Sequence, residues 1–333
     1  MIHRLFLMSL LGTCMANRWL LHESCFNDPK LETALIASFK EAIEIAQTAV
    51  DVLEKDLQNE KVQSMVRYIV GTENLEASLN VAKEYFTNVG KYKKEETTDM
   101  DLVDGDLTNQ DVRVYCDGSN WGPGPSLGTL KNTETGTLKG KEEVNMFMTP
   151  CFEKERPQAG DTLAMAVTTS SNIIDMPRYR QVYDPWKAGK QKDPQPSVGP
   201  FSTVHPDNPN TMNICKWYLN AIKDTSDNKI FHGISDDAIR RVREPDFIAS
   251  LGQTKPIDVL KESMGALLIH ELTHTNLGGL SYDDERPPGC YGWECVGTLK
   301  NIYNADSINI LAVCMFLFRN GFWVDNQGAI QTV

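Results

Sequence analysis

Residues 265–275 read Gly-Ala-Leu-Leu-Ile-His-Glu-Leu-Thr-His-Thr. On a helix, side chains four residues apart share a face, so His270 and His274 can grip one Zn²⁺ ion together. Glu271 then points beside the metal, where it can take a proton from a water at the open coordination position. The surroundings suit a helix from about 257 to 275. Val259, Leu260, Met264, Leu267, Leu268 and Leu272 give it an apolar body, and Gly278-Gly279 stop it.

A hydrolytic zinc site needs a third protein ligand and leaves the fourth position to water. Three acidic residues follow the helix at usable distances. Asp283 and Asp284 come 9 and 10 residues after His274, and Glu294 comes 20 after it. Glu294 would give the thermolysin-like (gluzincin) arrangement, in which the acid sits on a following helix. Spacing alone leaves all three open.

The block His270–His274, then Gly278-Gly279, then Asp283, Tyr291-Gly292 and Asn304-Ala305-Asp306 resembles the aspzincins. These are secreted fungal deuterolysins and peptidyl-Lys metalloendopeptidases. The resemblance implies a zincin-like α+β fold, mainly helical, with a small sheet beside the active-site helix. It implies one Zn²⁺ held by His270, His274 and Asp283, with Asp284 the neighbouring alternative. Tyr291 falls on the tyrosine that holds the substrate carbonyl oxygen in the transition state, with Tyr282 as a fallback. Asp306 falls on an acid that binds a lysine side chain near the cut. The companion Glu three residues on is replaced here by Asn309, and six residues, 285–290, stretch the Asp-to-Tyr spacing. The motif Met146–Phe152 resembles the sheet edge beside the family's cleft. About 153–255 has no counterpart in the small family members.

The rest of the chain is read outward from that block. Met1–Arg4, the apolar Leu5–Leu11 and the small residues Thr13–Ala16 form a secretory signal layout, with a cut after Ala16. The mature chain, 17–333, is expected as a single secreted, extracellular, monomeric metallopeptidase domain. Cys14 leaves with the leader, so seven of the 8 cysteines remain, enough for three bridges and one thiol. Cys314, in an apolar run, is the expected free thiol. Cys116 is expected to pair with Cys151 or with Cys25, and Cys290 and Cys295 to bridge each other locally or to pair elsewhere. The formal charge of −12 argues against a nucleic-acid partner, which needs a basic face. No apolar run reaches a membrane span.

Helical spacing predicts a helix over 30–57 and another over 61–89, broken near Gly71-Thr72, within a helical N-terminal part at 26–90. Strands are expected at Val112–Cys116 and Val144–Thr149. Residues 155–215, rich in Pro, Gly, Asp and Lys, read as an irregular solvent-facing stretch within the 153–255 insertion. The catalytic segment is 256–320, ending in a helix over 304–319. His232 has no partner at ligand spacing, Ser170-Ser171 lacks a nucleophile-elbow setting, and Lys187–Lys192 is a short basic loop.

The functional expectation is a zinc endopeptidase acting on protein or peptide substrates, favouring a basic residue near the cut through Asp306. The alternatives are a zinc peptidase that uses Glu294, or a secreted interaction protein that keeps the fold without cleaving.

Overall fold

The computed structural model describes residues 17–95, 106–155, 163–170, 207–223, 231–284 and 291–333. The expected signal peptide at 1–16 and the Lys187–Lys192 loop lie outside the described residues.

The chain opens with strand β1 (Arg18–Leu21) and then helices α1 (Pro29–Lys55), α2 (Glu60–Val70) and α3 (Leu75–Val89). Asp28 caps α1 by accepting from Lys30 N at 3.0 Å, and Pro29 pre-sets its first turn. Leu31, Leu35, Phe39, Ala42, Ala46 and Ala49 line its buried face at steps of three and four. Asn59 caps α2, and Gly71, at φ +79°, ends it, so the expected break near Gly71 is there.

Strands β2 (Lys93–Lys94) and β3 (Val112–Tyr115) follow, then the small antiparallel sheet of β4 (Trp121–Pro123), β5 (Leu130–Asn132) and β6 (Leu138–Lys139). Next come β7 (Ala166–Thr169), β8 (Asn210–Ile214), α4 (Lys216–Lys223), α5 (Asp236–Arg241), α6 (Pro245–Ser250), α7 (Pro256–Lys261) and α8 (Met264–Thr273). The chain closes with α9 (Trp293–Leu299), α10 (Ala305–Arg319) and the hairpin β9 (Phe322–Val324)–β10 (Ile330–Thr332).

The main sheet has the order β2-β1-β3-β8-β7; its first four strands are parallel and β7 is antiparallel to β8. Its helical layer is centred on α1, which packs on α3, α8 and α10. Helix α10 is buried on nearly every face, which explains its near-continuous run of apolar residues. The architecture is thus mixed, mainly helical with small sheets, in line with the α+β expectation.

Four expectations are corrected. Val144–Thr149 is not a strand: it lies in a continuous helical run of Lys141–Glu143, Val144–Met148 and Thr149–Glu153. Val144, Met148 and Cys151 are buried there at steps of four and three, whereas Met146 and Phe147 face out, so the period is helical. The 153–255 segment is not only an external insertion. Its β8 is wholly buried between β3 and β7, and its polar Asn210, Thr211 and Asn213 are paired within the core. The 257–275 helix is two helices, because Ser263 breaks the run and caps α8 through Ala266 N. Finally, Cys116 does not meet Cys151. The bridges are Cys25–Cys116, which ties the β1 turn to β3, and Cys151–Cys215, which ties the helical run to β8.

Cys314 is a buried free thiol, and burial raises its pKa. Cys295 is also disulfide-bonded; Cys290, expected as its local partner, lies outside the described residues. Among the described residues no helix is long and apolar enough to cross a membrane. Disulfides persist in oxidising compartments, which fits an extracytosolic chain.

Candidate metal centre

Helix α8 is wedged between α1, α10 and the edge strand β7, so its ten residues are all buried and its register is fixed by packing. His270 and His274 emerge at its end with 9% of their surface exposed. Their rings stand 5.0 Å apart at 77°. Glu271 is also buried, between them in sequence.

Beyond α8 the chain reverses sharply. A Cβ on Gly278 would collide with Leu272 O, and one on Gly279, at φ +118°, would fall 2.5 Å from the Tyr85 ring. Only glycine lets the chain pass so closely over the helix end. The returning strand bonds Ser281 N to Thr273 O at 2.9 Å, and Tyr282 pairs with Asn304. That path brings Asp283 over the histidines.

Asp283 Oδ1 lies 3.2 Å from His270 Nε2, and Oδ2 lies 3.7 Å from His274 Nε2. Among the described residues these three side chains form the one group whose ligand atoms all lie within 4.8 Å of each other. Donors at about 2.0–2.1 Å from one tetrahedral zinc are themselves about 3.3 Å apart, so the spacing fits a single ion. Asp283 Oδ1 is enclosed yet takes no hydrogen bond within the protein. A buried carboxylate oxygen left that way is costly unless a cation completes it.

The hydrogen bonds around His274 assign its tautomer. Thr273 Oγ1 donates to His270 O at 2.6 Å, so it must accept from Ser281 Oγ, 2.7 Å away. Ser281 therefore offers His274 Nδ1 only acceptors: its carbonyl at 3.0 Å and its Oγ at 3.3 Å. Nδ1 therefore carries a proton, which leaves Nε2, on the Asp283 side, as the nitrogen that can face an ion. This is the outer support that metal-binding histidines usually have.

Electrostatics point the same way. Burial alone would lower the His270 pKa, but the Asp283 carboxylate beside it overrules this, and it is raised to about 9. Burial would raise Asp283, and the charges of His274 and His270 hold it instead well below the usual carboxylate range. The cluster is a strong anion–cation arrangement that a divalent ion can enter by displacing a proton.

The alternative ligands go elsewhere. Glu294 leaves 75% of its side chain exposed and pairs with Lys255 Nζ at 2.8 Å. Asp284 is buried, accepting from Asn301 Nδ2 at 3.1 Å while its backbone N–H donates to Asn304. Tyr291 stands at the surface, 46% exposed, while the Tyr282 hydroxyl accepts from Asn301. His232 is exposed on the loop before α5.

Asp306 is not an open carboxylate. Its Oδ1 is 3.1 Å from Lys261 Nζ, and its Oδ2 accepts from Gly292 N at 2.6 Å. Burial works against the Lys261 ammonium, but Asp306, Glu262 and Asp258 more than offset it, so its pKa is raised. Asn309 donates from Nδ2 to Lys261 O at 3.0 Å. Sequence reading missed Ser281 and Lys261. Ser281 carries no motif, and Lys261, just after Ile257–Leu260, has no partner at helical spacing that would point to Asp306.

No protein-family model matches the chain, no curated protein matches it in sequence, and no solved structure matches it in fold. The reading of function therefore stands on the residues themselves.

Proposed function

We propose that this protein is a secreted, zinc-dependent endopeptidase with a zincin-like fold of the aspzincin type. The observation that carries the reading is the convergence of His270 Nε2, His274 Nε2 and the Asp283 carboxylate on one point, beside a buried Glu271. Two neutral imidazoles and one carboxylate are the donor set of a hydrolytic zinc centre, with a position left for water.

A Zn²⁺ ion held by His270, His274 and Asp283 would supply Lewis acidity, making water a better nucleophile and polarising a peptide carbonyl. Glu271 takes the proton from the attacking water and hands it to the amide nitrogen as that bond breaks. Its burial keeps bulk water from competing for that proton. Ser281 holds His274 in the tautomer that leaves Nε2 free for the ion. Tyr291, exposed just before α9, is the proposed donor to the carbonyl oxygen as it gains charge, a kind of contact worth about 2–4 kcal/mol in the barrier.

The test is direct. Purified protein should carry one zinc by elemental analysis and cut a proteome-derived peptide library, with cutting abolished by chelator. Glu271→Gln should keep the zinc and lose activity by about 10²–10⁴-fold. Zinc-loaded protein that leaves the library intact would sink the proposal in favour of an interaction protein.

A further inference from the structure

Two adjacent aspartates follow the turn after α8, and the fold sends them to different partners. Asp283 reaches His270 and His274, whereas the Asp284 carboxylate accepts from Asn301 Nδ2 at 3.1 Å. The segment alongside, 301–305, keeps them apart. Tyr282 N donates to Tyr303 O at 3.1 Å and Ala305 N donates to Tyr282 O at 3.0 Å, which pairs the two stretches in parallel. Side chains complete the pairing. Asn304 Oδ1 accepts from Asp284 N at 3.0 Å, and Asn301 Nδ2 also donates to the Tyr282 hydroxyl at 3.0 Å. Asp283 is therefore held through the residue on either side of it, while its own Oδ1 takes no hydrogen bond within the protein.

Asn304 departs from ordinary helix capping. It stands at the N-cap of α10, where an asparagine side chain usually accepts from an N–H of its own first turn. Here it makes no such bond. Its oxygen crosses to Asp284 N instead, its Nδ2 donates to Ser307 Oγ at 3.2 Å, and the residue is buried. The capping bond is given up for a bond to the ligand-bearing stretch. In a strand, a slip of one residue turns every side chain to the other face. Such a slip here would present Asp284 to the histidines in place of Asp283.

We propose that Asn304 and Asn301 are positioning residues for the metal centre: their amides fix the register of 281–284, so that Asp283 and not Asp284 meets the two histidines. This rests on the zinc site of the reading above and not on peptide cutting. An amide suits the task because it is neutral, so it does not compete for the ion, and it can both donate and accept. Asn304 supplies the acceptor for a backbone N–H. Asn301 supplies the donor for a carboxylate, with its own Oδ1 anchored by Tyr303 N at 3.1 Å.

The experiment is a double-mutant cycle on zinc affinity, read by chelator competition and, for weak binders, by calorimetry. Asn304→Ala and Asn301→Ala should each bind zinc about 10-fold more weakly than wild type, as when an outer partner of a ligand is lost. In an Asp283→Ala background only the two imidazoles bind. There, either change should alter the residual affinity by less than ~2-fold, because its effect passes through Asp283. An equal fall in both backgrounds would mark a general loosening of the fold and overturn the proposal. Unchanged affinity in either single variant would also overturn it. If Asn304→Ala does not fold, Asn301→Ala, whose side chain is only partly buried, carries the same comparison. Wild type that binds no zinc removes the metal centre and this proposal together, whereas protein that binds zinc and cuts no peptide leaves the cycle intact.

Discussion

His274 gives its Nδ1 proton to the carbonyl oxygen of Ser281, 3.0 Å away, and the Ser281 hydroxyl closes the same contact by bonding Thr273. One seven-residue return of the chain therefore both orients a ligand and delivers the next. Removing the hydroxyl should loosen the ring without removing a donor atom. Ser281→Ala is expected to fold and to bind zinc about 10-fold more weakly, towards the low end for loss of an outer support. Competition against a chromophoric chelator measures it, and unchanged affinity would show that the carbonyl alone suffices.

The third ligand can be settled by metal content. Asp283→Ala should fall to background zinc after dialysis, because two imidazoles alone leave the ion under-coordinated. Glu294→Ala should keep full zinc, since that side chain points to Lys255 and solvent. A Glu294→Ala protein that lost its zinc while Asp283→Ala kept it would reverse the assignment.

Glu41, on α1, gives a pH signature. Its carboxyl accepts from Ile234 N at 2.7 Å and packs against Gly233 and Gly265, where a Cβ at either position would collide with it. Burial raises its pKa from 4.5 to about 7. The folded chain thus holds this proton more tightly than the unfolded chain. Stability from this group is greatest below about 4.5 and falls as pH rises towards about 7, by on the order of 2–3 kcal/mol. Glu41→Gln should flatten that part of the stability–pH curve and be the more stable form at pH 8, read by urea melts. A wild-type slope that survives the substitution would assign it to another group.

Gly279 has no room for a methyl group. At φ +118°, with Tyr85 Cε1 2.5 Å from where a Cβ would sit, Gly279→Ala must shift the turn that carries Ser281 and Asp283. A stability loss of about 1–3 kcal/mol is expected, together with weaker zinc binding. Gly252→Ala is the control, since it has positive φ but nothing within 4 Å, and should cost stability while sparing the metal.

How much of this was legible in the sequence depends on the range of the interactions involved. The pairing of His270 and His274 on one face is local, since one helical turn brings them together, and the motif predicted that juxtaposition. Asp283 was legible only as one of three acids, because its place depends on how Gly278-Gly279 turn the chain back over α8. Strand β8 was hidden for a chemical reason. Asn210, Thr211 and Asn213 look like loop residues, and only their pairing with Asn132, Asn120 and the Asp111 carbonyl makes them core. The helical run at Val144–Thr149 was misread because exposed Met146 and Phe147 mimic a strand. The Lys261–Asp306 pair joins separate helices, and neither residue alone announces it.

The packing of α1 against α10 has a consequence for biosynthesis. The two helices lie near opposite ends of the chain, and contacts such as Arg319 to Asp51 bridge 268 residues. When α1 leaves the ribosome its apolar face has no lasting partner, and β3 must wait for β8 to emerge before the sheet can close. Non-local contacts of this kind make folding slow and late. The Cys25–Cys116 and Cys151–Cys215 bridges span 91 and 64 residues and likewise close only after long stretches of chain have emerged. The long-range core thereby delays the candidate metal centre too, because α8 packs on both α1 and α10.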